Sequence, residues 1–141
     1  MSYKKLTSLE ICAGAGGQAL GLEAAGFHHS AVVEIDEWAA ETLRLNRGKK
    51  GPKGKWPVWE IDVKQFDGTP WKHKIDLFAG GVPCPPFSIA GRQLGAEDDR
   101  DLFPEALRLI REIDPPAVLL ENVKGLGQKR FAEYRRSIIL E

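Results

Sequence analysis

Thr7-Ser8-Leu9-Glu10-Ile11-Cys12-Ala13-Gly14-Ala15-Gly16-Gly17-Gln18-Ala19 is the stretch that decides the fold. Thr7 to Ala13 reads as a short buried strand that ends at glycines. A helical pattern follows from Gln18 to Ala25, with Gly26 as its stop. The glycines let a backbone approach a ligand closely, and a helix N-terminus favours an anionic group. A strand that feeds a helix through such a turn opens a βαβ unit.

The same rhythm continues along the chain. His29 to Ile35 is a strand rich in Val and Ile. Asp36 is placed to cap a helix from Glu37 to Asn46, with Trp38, Thr42 and Leu45 on one face. Val58 to Val63 and Ile75 to Ala79 are the third and fourth strands. Asp101 to Ile113 is the clearest helix, with Leu102, Phe103, Ala106, Leu107, Ile110 and Ile113 at helical spacing. Pro104 falls in its first turn, where the missing N–H costs little. Pro115 and Pro116 stop it, Ala117 to Leu120 forms a fifth strand, and a last helix carries Phe131, Tyr134 and Ile138 on one face. This alternation predicts an α/β fold, a mostly parallel sheet with helices on both faces. Two stretches break the rhythm. Arg47 to Pro57 is expected to be a solvated loop, and Gly80 to Arg100 a functional, mobile one.

Composition bounds the function. A chain of 141 residues predicts a single domain. Lys and Arg number 20, as do Asp and Glu, so the net charge is zero and whole-molecule attraction cannot hold the chain on a polyanion. No apolar run approaches the roughly 18 residues of a membrane span, and the N-terminus lacks the apolar core of a signal peptide. The expected location is therefore cytoplasmic. Two cysteines cannot build a disulfide scaffold or a four-cysteine zinc site, and no metal site is expected.

Several residues carry chemistry. Gly14, Gly16 and Gln18 sit in the glycine turn. Glu34 lies about 20 residues further on, at the end of the second strand, where a carboxylate can accept from ribose hydroxyls. This pattern fits a dinucleotide and an adenosine ligand equally. Asp62, ending the third strand, either accepts from an adenine amino group or caps a turn. Cys84 stands among Pro83, Pro85 and Pro86, which exclude a regular element and display the thiol on a stiff loop, so it reads as a nucleophile. Cys12, inside its strand, reads as a small buried hydrophobe. Glu121, directly after an apolar strand, needs a partner. A cysteine and a carboxylate at one sheet edge make a nucleophile and an acid acting on one substrate.

These residues resemble the N-terminal catalytic part of the C5-cytosine DNA methyltransferases. Glu10 to Gly17 resembles the family's first cofactor motif and Glu34-Ile35-Asp36 its second. Pro83-Cys84 with Phe87-Ser88 resembles the catalytic loop, and Glu121-Asn122-Val123 the acid motif. Asp99 to Phe103 matches a further run between them. Five short motifs in order, over about residues 7–139, carry the likeness. Three positions depart from it: Pro85 stands where Gln is frequent, and Glu10 and Cys12 stand where Asp and Phe are frequent.

The resemblance implies a Rossmann-like, S-adenosylmethionine-dependent methyltransferase fold, incomplete here, with S-adenosylhomocysteine as product. It implies that residues 1–141 are the N-terminal portion of the catalytic domain, without the target-recognition domain. The partners implied are double-stranded DNA and either a missing C-terminal half or a second subunit. Self-association through an uncovered edge, inactivity of this chain alone and a place at the nucleoid are further expectations. The reaction implied has Cys84 attacking C6 of a flipped cytosine, Glu121 engaging N3, and C5 taking the methyl group. Gly14, Gly16 and Gln18 would meet the methionine part, Glu34 the ribose, Ile35 and Asp62 the adenine, and Leu102 would pack on it. Two other readings compete: a non-catalytic S-adenosylmethionine-binding subunit of a split methyltransferase, and an NAD-dependent oxidoreductase sharing the glycine turn. Cys84 and Glu121 in their contexts weigh against the last.

Overall fold

Short strands and helices follow one another along the described chain. A computed structural model of the chain describes residues 5–46, 56–83 and 101–140. Five strands form one parallel sheet in the order β3-β2-β1-β4-β5: β1 Thr7–Ile11, β2 His28–Glu34, β3 Val58–Glu60, β4 Leu77–Gly81 and β5 Val118–Glu121. Four helices accompany them: α1 Gly17–Ala24, α2 Glu37–Asn46, α3 Phe103–Ile113 and α4 Ala132–Leu140. The chain leaves β1 towards β2 on one side and reaches β4 on the other. The crevice between β1 and β4 is thus the topological switch point, where open parallel sheets bind ligands.

Alternation along β1 assigns the two faces. Leu9 and Ile11 join Val33, Phe78, Phe103, Leu109 and Ile113 in the larger core, under α3. Ser8 and Glu10 point the other way, towards α1. That second face is closed by Leu22 over Leu77 and Ala79, and by Leu43 and Trp56 over Val32. Arg108 locks α3 in place: it binds Glu105 and Glu112 on its own helix at 2.8 and 2.7 Å and donates to the Val63 and Phe66 carbonyls.

Several expectations need correction. On α2 the buried positions are Ala40 and Leu43, while Trp38 and Leu45 are exposed. The face is chosen by the space against Val32 and Trp56, not by side-chain size. Trp56, expected in a solvated loop, is buried there, and residues 47–55 of that loop lie outside the described ones. β3 ends at Glu60, so Asp62 caps a 3-10 turn at Val63–Gln65 instead of ending a strand. α3 starts at Phe103, because Asp101 turns its carboxylate onto the Phe103 N–H at 3.0 Å and accepts from the Tyr134 hydroxyl. α3 also buries Leu109, which the spacing missed. The sheet is not covered on both faces throughout. β5 is an edge strand, and its Val118 and Leu119 are 44% and 45% exposed. Phe131, in the turn just before α4, and Tyr134 and Ile138 on α4 pack on the core. No helix among the described residues is long and apolar enough to cross a membrane.

Candidate active site

Residues that end or directly follow β1, β2, β3 and β4 meet at the switch point, and β5 ends in Glu121 beside it. A cavity of about 590 Å³ opens beyond the carboxyl ends of β1, β2, β3 and β4. Its walls include Cys12, Gly14, Glu34, Ile35, Asp62 and Leu102. A second cavity of about 380 Å³ adjoins it around Cys12, Gly14 and Gly81, and adds Glu10, Gln18 and Glu121. Six of the nine sequence-predicted site residues thus line one cavity or the other from the glycine turn, the ends of β2 and β5 and the turn after β3: Gly14, Gln18, Glu34, Ile35, Asp62 and Glu121. Leu102, before α3, is a seventh. Gly16 lines neither, and residues 84–100, Cys84 among them, lie outside the described ones.

Glu34 is held by the backbone around it. Oε2 accepts from Gly14 N–H at 2.7 Å, and Oε1 accepts from the Ile35 and Asp36 N–H groups at 2.8 and 2.9 Å. A carboxylate has about four lone-pair sites. Three backbone donors therefore orient Glu34 while leaving it capacity at the cavity wall. The Glu34 carbonyl accepts from Ile61 N–H at 3.1 Å, which brings Asp62 to the same wall. Asp62 Oδ1 itself accepts from Lys64 N–H, so capping and lining coexist in one side chain.

The glycine turn divides its labour. Gly14 has φ +55° and open space where a Cβ would stand. Gly16, at φ +92°, packs against Leu43 and Trp56, where a Cβ would lie 2.8 Å from Leu43 Cδ2. Gly14 is therefore the turn's cavity glycine, and Gly16 joins the turn to α2.

Two residues, one just beyond β1 and one within it, differ from their reading in the sequence. Cys12 is not inside the strand. It is the first residue beyond it, at φ +51°, half-buried and facing both cavities. Burial, with Glu34 and Asp62 nearby, pushes its thiol up to about 12. Glu10 is fully buried, neither of its oxygens has a hydrogen-bond partner, and burial pushes its carboxyl up to about 7. An acid between Leu9 and Ile11 in an apolar strand was the signal for it. At the other edge, Asn122 Nδ2 donates to the Val82 carbonyl at 3.0 Å, which fastens the residue after Glu121 to the segment entering Cys84.

A family model described as C-5 cytosine-specific DNA methylase matches residues 6–141. The chain belongs to this family. Among curated relatives, the type II methyltransferase M.NgoMIV of Neisseria gonorrhoeae is 60% identical over 95% of this chain and 41% of its own length. M.NaeI of Lentzea aerocolonigenes is 52% identical over 96% of this chain and 32% of its own length. The chain thus spans less than half the length of these relatives. A solved DNA modification methyltransferase encoded within an E. coli prophage superposes with a TM-score of 0.75 at 30% identity, over 96% of this chain and 37% of the other. The fold is likewise shared with Spodoptera frugiperda DNMT2, at a TM-score of 0.69 and 23% identity.

The residues at the crevice suit the S-adenosylmethionine that a methylase requires. An oriented carboxylate stands at ribose spacing, Ile35 and Leu102 offer apolar surface, and Gly14 leaves backbone uncovered. Buried acceptors on Glu10 and Gln18 have no partner of their own.

Proposed function

We propose that this chain supplies the cofactor site and the catalytic edge of an enzyme that methylates C5 of cytosine in double-stranded DNA. The observation that carries this reading is the convergence of Gly14, Glu34 and Glu121 on two adjoining cavities at the switch point of a C-5 methylase chain. S-adenosylmethionine supplies an electrophilic methyl group on a sulfonium. Glu34 binds the ribose, held for it by Gly14, Ile35 and Asp36. Ile35, Asp62 and Leu102 frame the adenine, while Gly14, Gln18 and the turn anchored by Gly16 take the amino-acid end.

Cytosine C5 is a poor nucleophile. The Cys84 thiolate adds to C6, and its electron pair is carried through the ring towards N3. Glu121 gives a proton or a hydrogen bond at N3 and so neutralises the charge that develops there. With S-adenosylmethionine bound, C5 would take its methyl group as the sulfonium S–CH3 bond breaks, leaving S-adenosylhomocysteine. A base removes the C5 proton, the C6–S bond breaks, and Cys84 leaves as a thiolate. The flipped base and the duplex are held by the rest of the protein or by a second subunit. The zero net charge of this chain agrees, since it offers little long-range attraction for phosphate.

Two assays test this reading on the complete natural protein. Calorimetry is expected to show saturable S-adenosylhomocysteine binding and none of NAD. A duplex carrying 5-fluorocytosine is expected to trap an adduct at Cys84. NAD binding without a response to the homocysteine ligand would return the oxidoreductase alternative. Cofactor binding with no adduct and no methyl transfer would return the non-catalytic subunit.

A further inference from the structure

A slip in the pairing of β1 with β2 re-aims one polar ring. Ser8 pairs with His29 but Leu9 pairs with Ala31, so Ser30 has no partner on β1. Such a bulge turns a side chain that strict alternation would send to the other face. His29 lands on the α1 side of the sheet, with Val32 and Trp56.

There the ring touches three segments. Nε2 lies 2.9 Å from the Ala19 carbonyl, in the first turn of α1, and Nδ1 lies 3.0 Å from Ser8 Oγ on β1. A carbonyl oxygen only accepts, so Nε2 carries the hydrogen and Nδ1 accepts from the Ser8 hydroxyl. The Trp56 ring meets His29 edge to face, with centroids 5.0 Å apart. The same indole packs against Gly16, where a Cβ would stand 3.0 Å from its Cζ3. His29 thus reaches the glycine turn by two routes: through Ala19 into α1, and through Trp56 onto Gly16. Glu34 holds the turn from the other end of β2, at the Gly14 N–H. Resting on the cofactor reading above, we propose that His29 is a positioning residue for the cofactor site: the neutral ring locks α1 and the glycine turn onto the sheet, and its protonation loosens them and weakens S-adenosylmethionine binding in acid.

The arrangement fits the neutral ring and opposes the charged one. Protonation puts a second hydrogen on Nδ1, against Ser8 Oγ. The Ser8 hydroxyl must then reverse and accept, and its own hydrogen loses its acceptor in a fully buried place. Burial holds His29 below its ordinary value of 6.5, opposed in part by the Ala19 carbonyl and Glu23 and reinforced by His28. Glu23 comes from α1 and His28 from β2. β1 carries Glu10 one register step beyond the bulge, level with Val32, and Trp56 brings an uncharged ring. Among the described residues no carboxylate bonds to the His29 ring. A folded value below the unfolded one means that the neutral ring's contribution is whole above 6.5 and is lost as pH falls below it.

The experiment uses the complete natural protein. Calorimetry measures S-adenosylhomocysteine affinity from about pH 7.5 to about pH 5 in wild type, His29→Gln and His29→Phe. Gln offers an N–H to Ala19 and an acceptor to Ser8 without titrating, whereas Phe fills the space and offers neither. At the upper pH, His29→Gln should bind within about threefold of wild type and His29→Phe at least about tenfold more weakly. At the lower pH, wild type should lose at least about threefold relative to His29→Gln. Glu10 titrates in both proteins alike, so their ratio isolates His29. Nuclear magnetic resonance of the three histidine rings adds a readout that packing alone would not move. His29 should show the Nε2–H tautomer, titrate below 6.5, and shift further down when S-adenosylhomocysteine binds, with His73 unmoved. An acid loss that survives in His29→Gln, wild-type affinity in His29→Phe, or a His29 titration unmoved by the ligand overturns the proposal and leaves the cofactor reading intact. Failure of S-adenosylhomocysteine to bind wild type at the upper pH overturns that reading and the proposal with it.

Discussion

Asn122 Nδ2 donates to the Val82 carbonyl at 3.0 Å, while its Oδ1 accepts from Val123 N–H at 2.8 Å. One amide thus stitches the end of β5, where Glu121 stands, to the two residues that lead into Cys84. Removing it is expected to cost about 1 kcal/mol of stability, the usual net worth of such a bond. In the complete enzyme, Asn122→Ala should slow methyl transfer and 5-fluorocytosine trapping at least about tenfold, with S-adenosylhomocysteine affinity within twofold of wild type. Asn122→Asp keeps the acceptor for Val123 but sets an oxygen against the Val82 carbonyl, so it should not rescue. Wild-type trapping rates in either variant would show that the tie does not position the cysteine segment.

The two cysteines should differ in reactivity. With its pKa pushed from 9.0 to about 12, Cys12 at pH 8 holds about a thousandfold less thiolate than an ordinary cysteine. Peptide mass spectrometry after iodoacetamide treatment at pH 8 is expected to find Cys84 alkylated and Cys12 spared. Cys84→Ser should abolish methyl transfer, whereas Cys12→Ala should alter stability or cofactor affinity only. Rapid alkylation of Cys12 in the native protein would contradict its burial.

Glu10 makes stability fall with rising pH. Its folded carboxyl, at about 7, keeps a proton that the unfolded chain loses at 4.5. Between those values the native state binds more protons, so stability declines as pH rises and levels off above 7. The penalty at pH 8 is of order 3 kcal/mol. Glu10→Gln should therefore raise the midpoint of thermal unfolding at pH 8 and leave it nearly unchanged at pH 4.5. An equal shift at both pH values would mean that Glu10 is not buried as an acid.

The two left-handed glycines should separate packing from binding. Gly16→Ala forces a Cβ to within 2.8 Å of Leu43 Cδ2 at φ +92°, and is expected to cost about 2–4 kcal/mol of stability. Gly14→Ala meets open space at φ +55°, so it should cost only about 1 kcal/mol and act mainly on S-adenosylhomocysteine affinity. Chemical denaturation paired with calorimetry distinguishes the two. A larger stability loss at Gly14 than at Gly16 would reverse the assignment.

The strand and helix order was legible in the chain because it rests on local pattern. Short apolar runs bounded by turn residues, such as Ala31-Val32-Val33 and Leu77-Phe78-Ala79, fit buried parallel strands, and the turn at Gly14 and Gly16 needs residues free to take positive φ. Glu34 and Glu121 could be singled out for the same reason, as acids placed where apolar strands end.

Other features depend on what long-range folding brings together. Trp56 lies far along the chain from Gly16, yet its ring fills the space that makes Gly16 a packing glycine. α2 leaves Trp38 and Leu45 exposed and buries Ala40 and Leu43, because Leu43 packs with Val32 and Trp56. Cys12 and Asp62 each miss their expected strand by one or two residues, which is enough to turn both onto the cavity. Whether an acid in an apolar strand is paired or stranded is likewise invisible in sequence. For Glu10 it depends on Gln18 from α1 and Gly81 from β4, neither of which offers it a donor. Residue type and spacing therefore determined the layers and the strand-end acids. Only tertiary packing decided which of those groups share a cavity, because a side chain's solvent and partners come from segments that meet it through space.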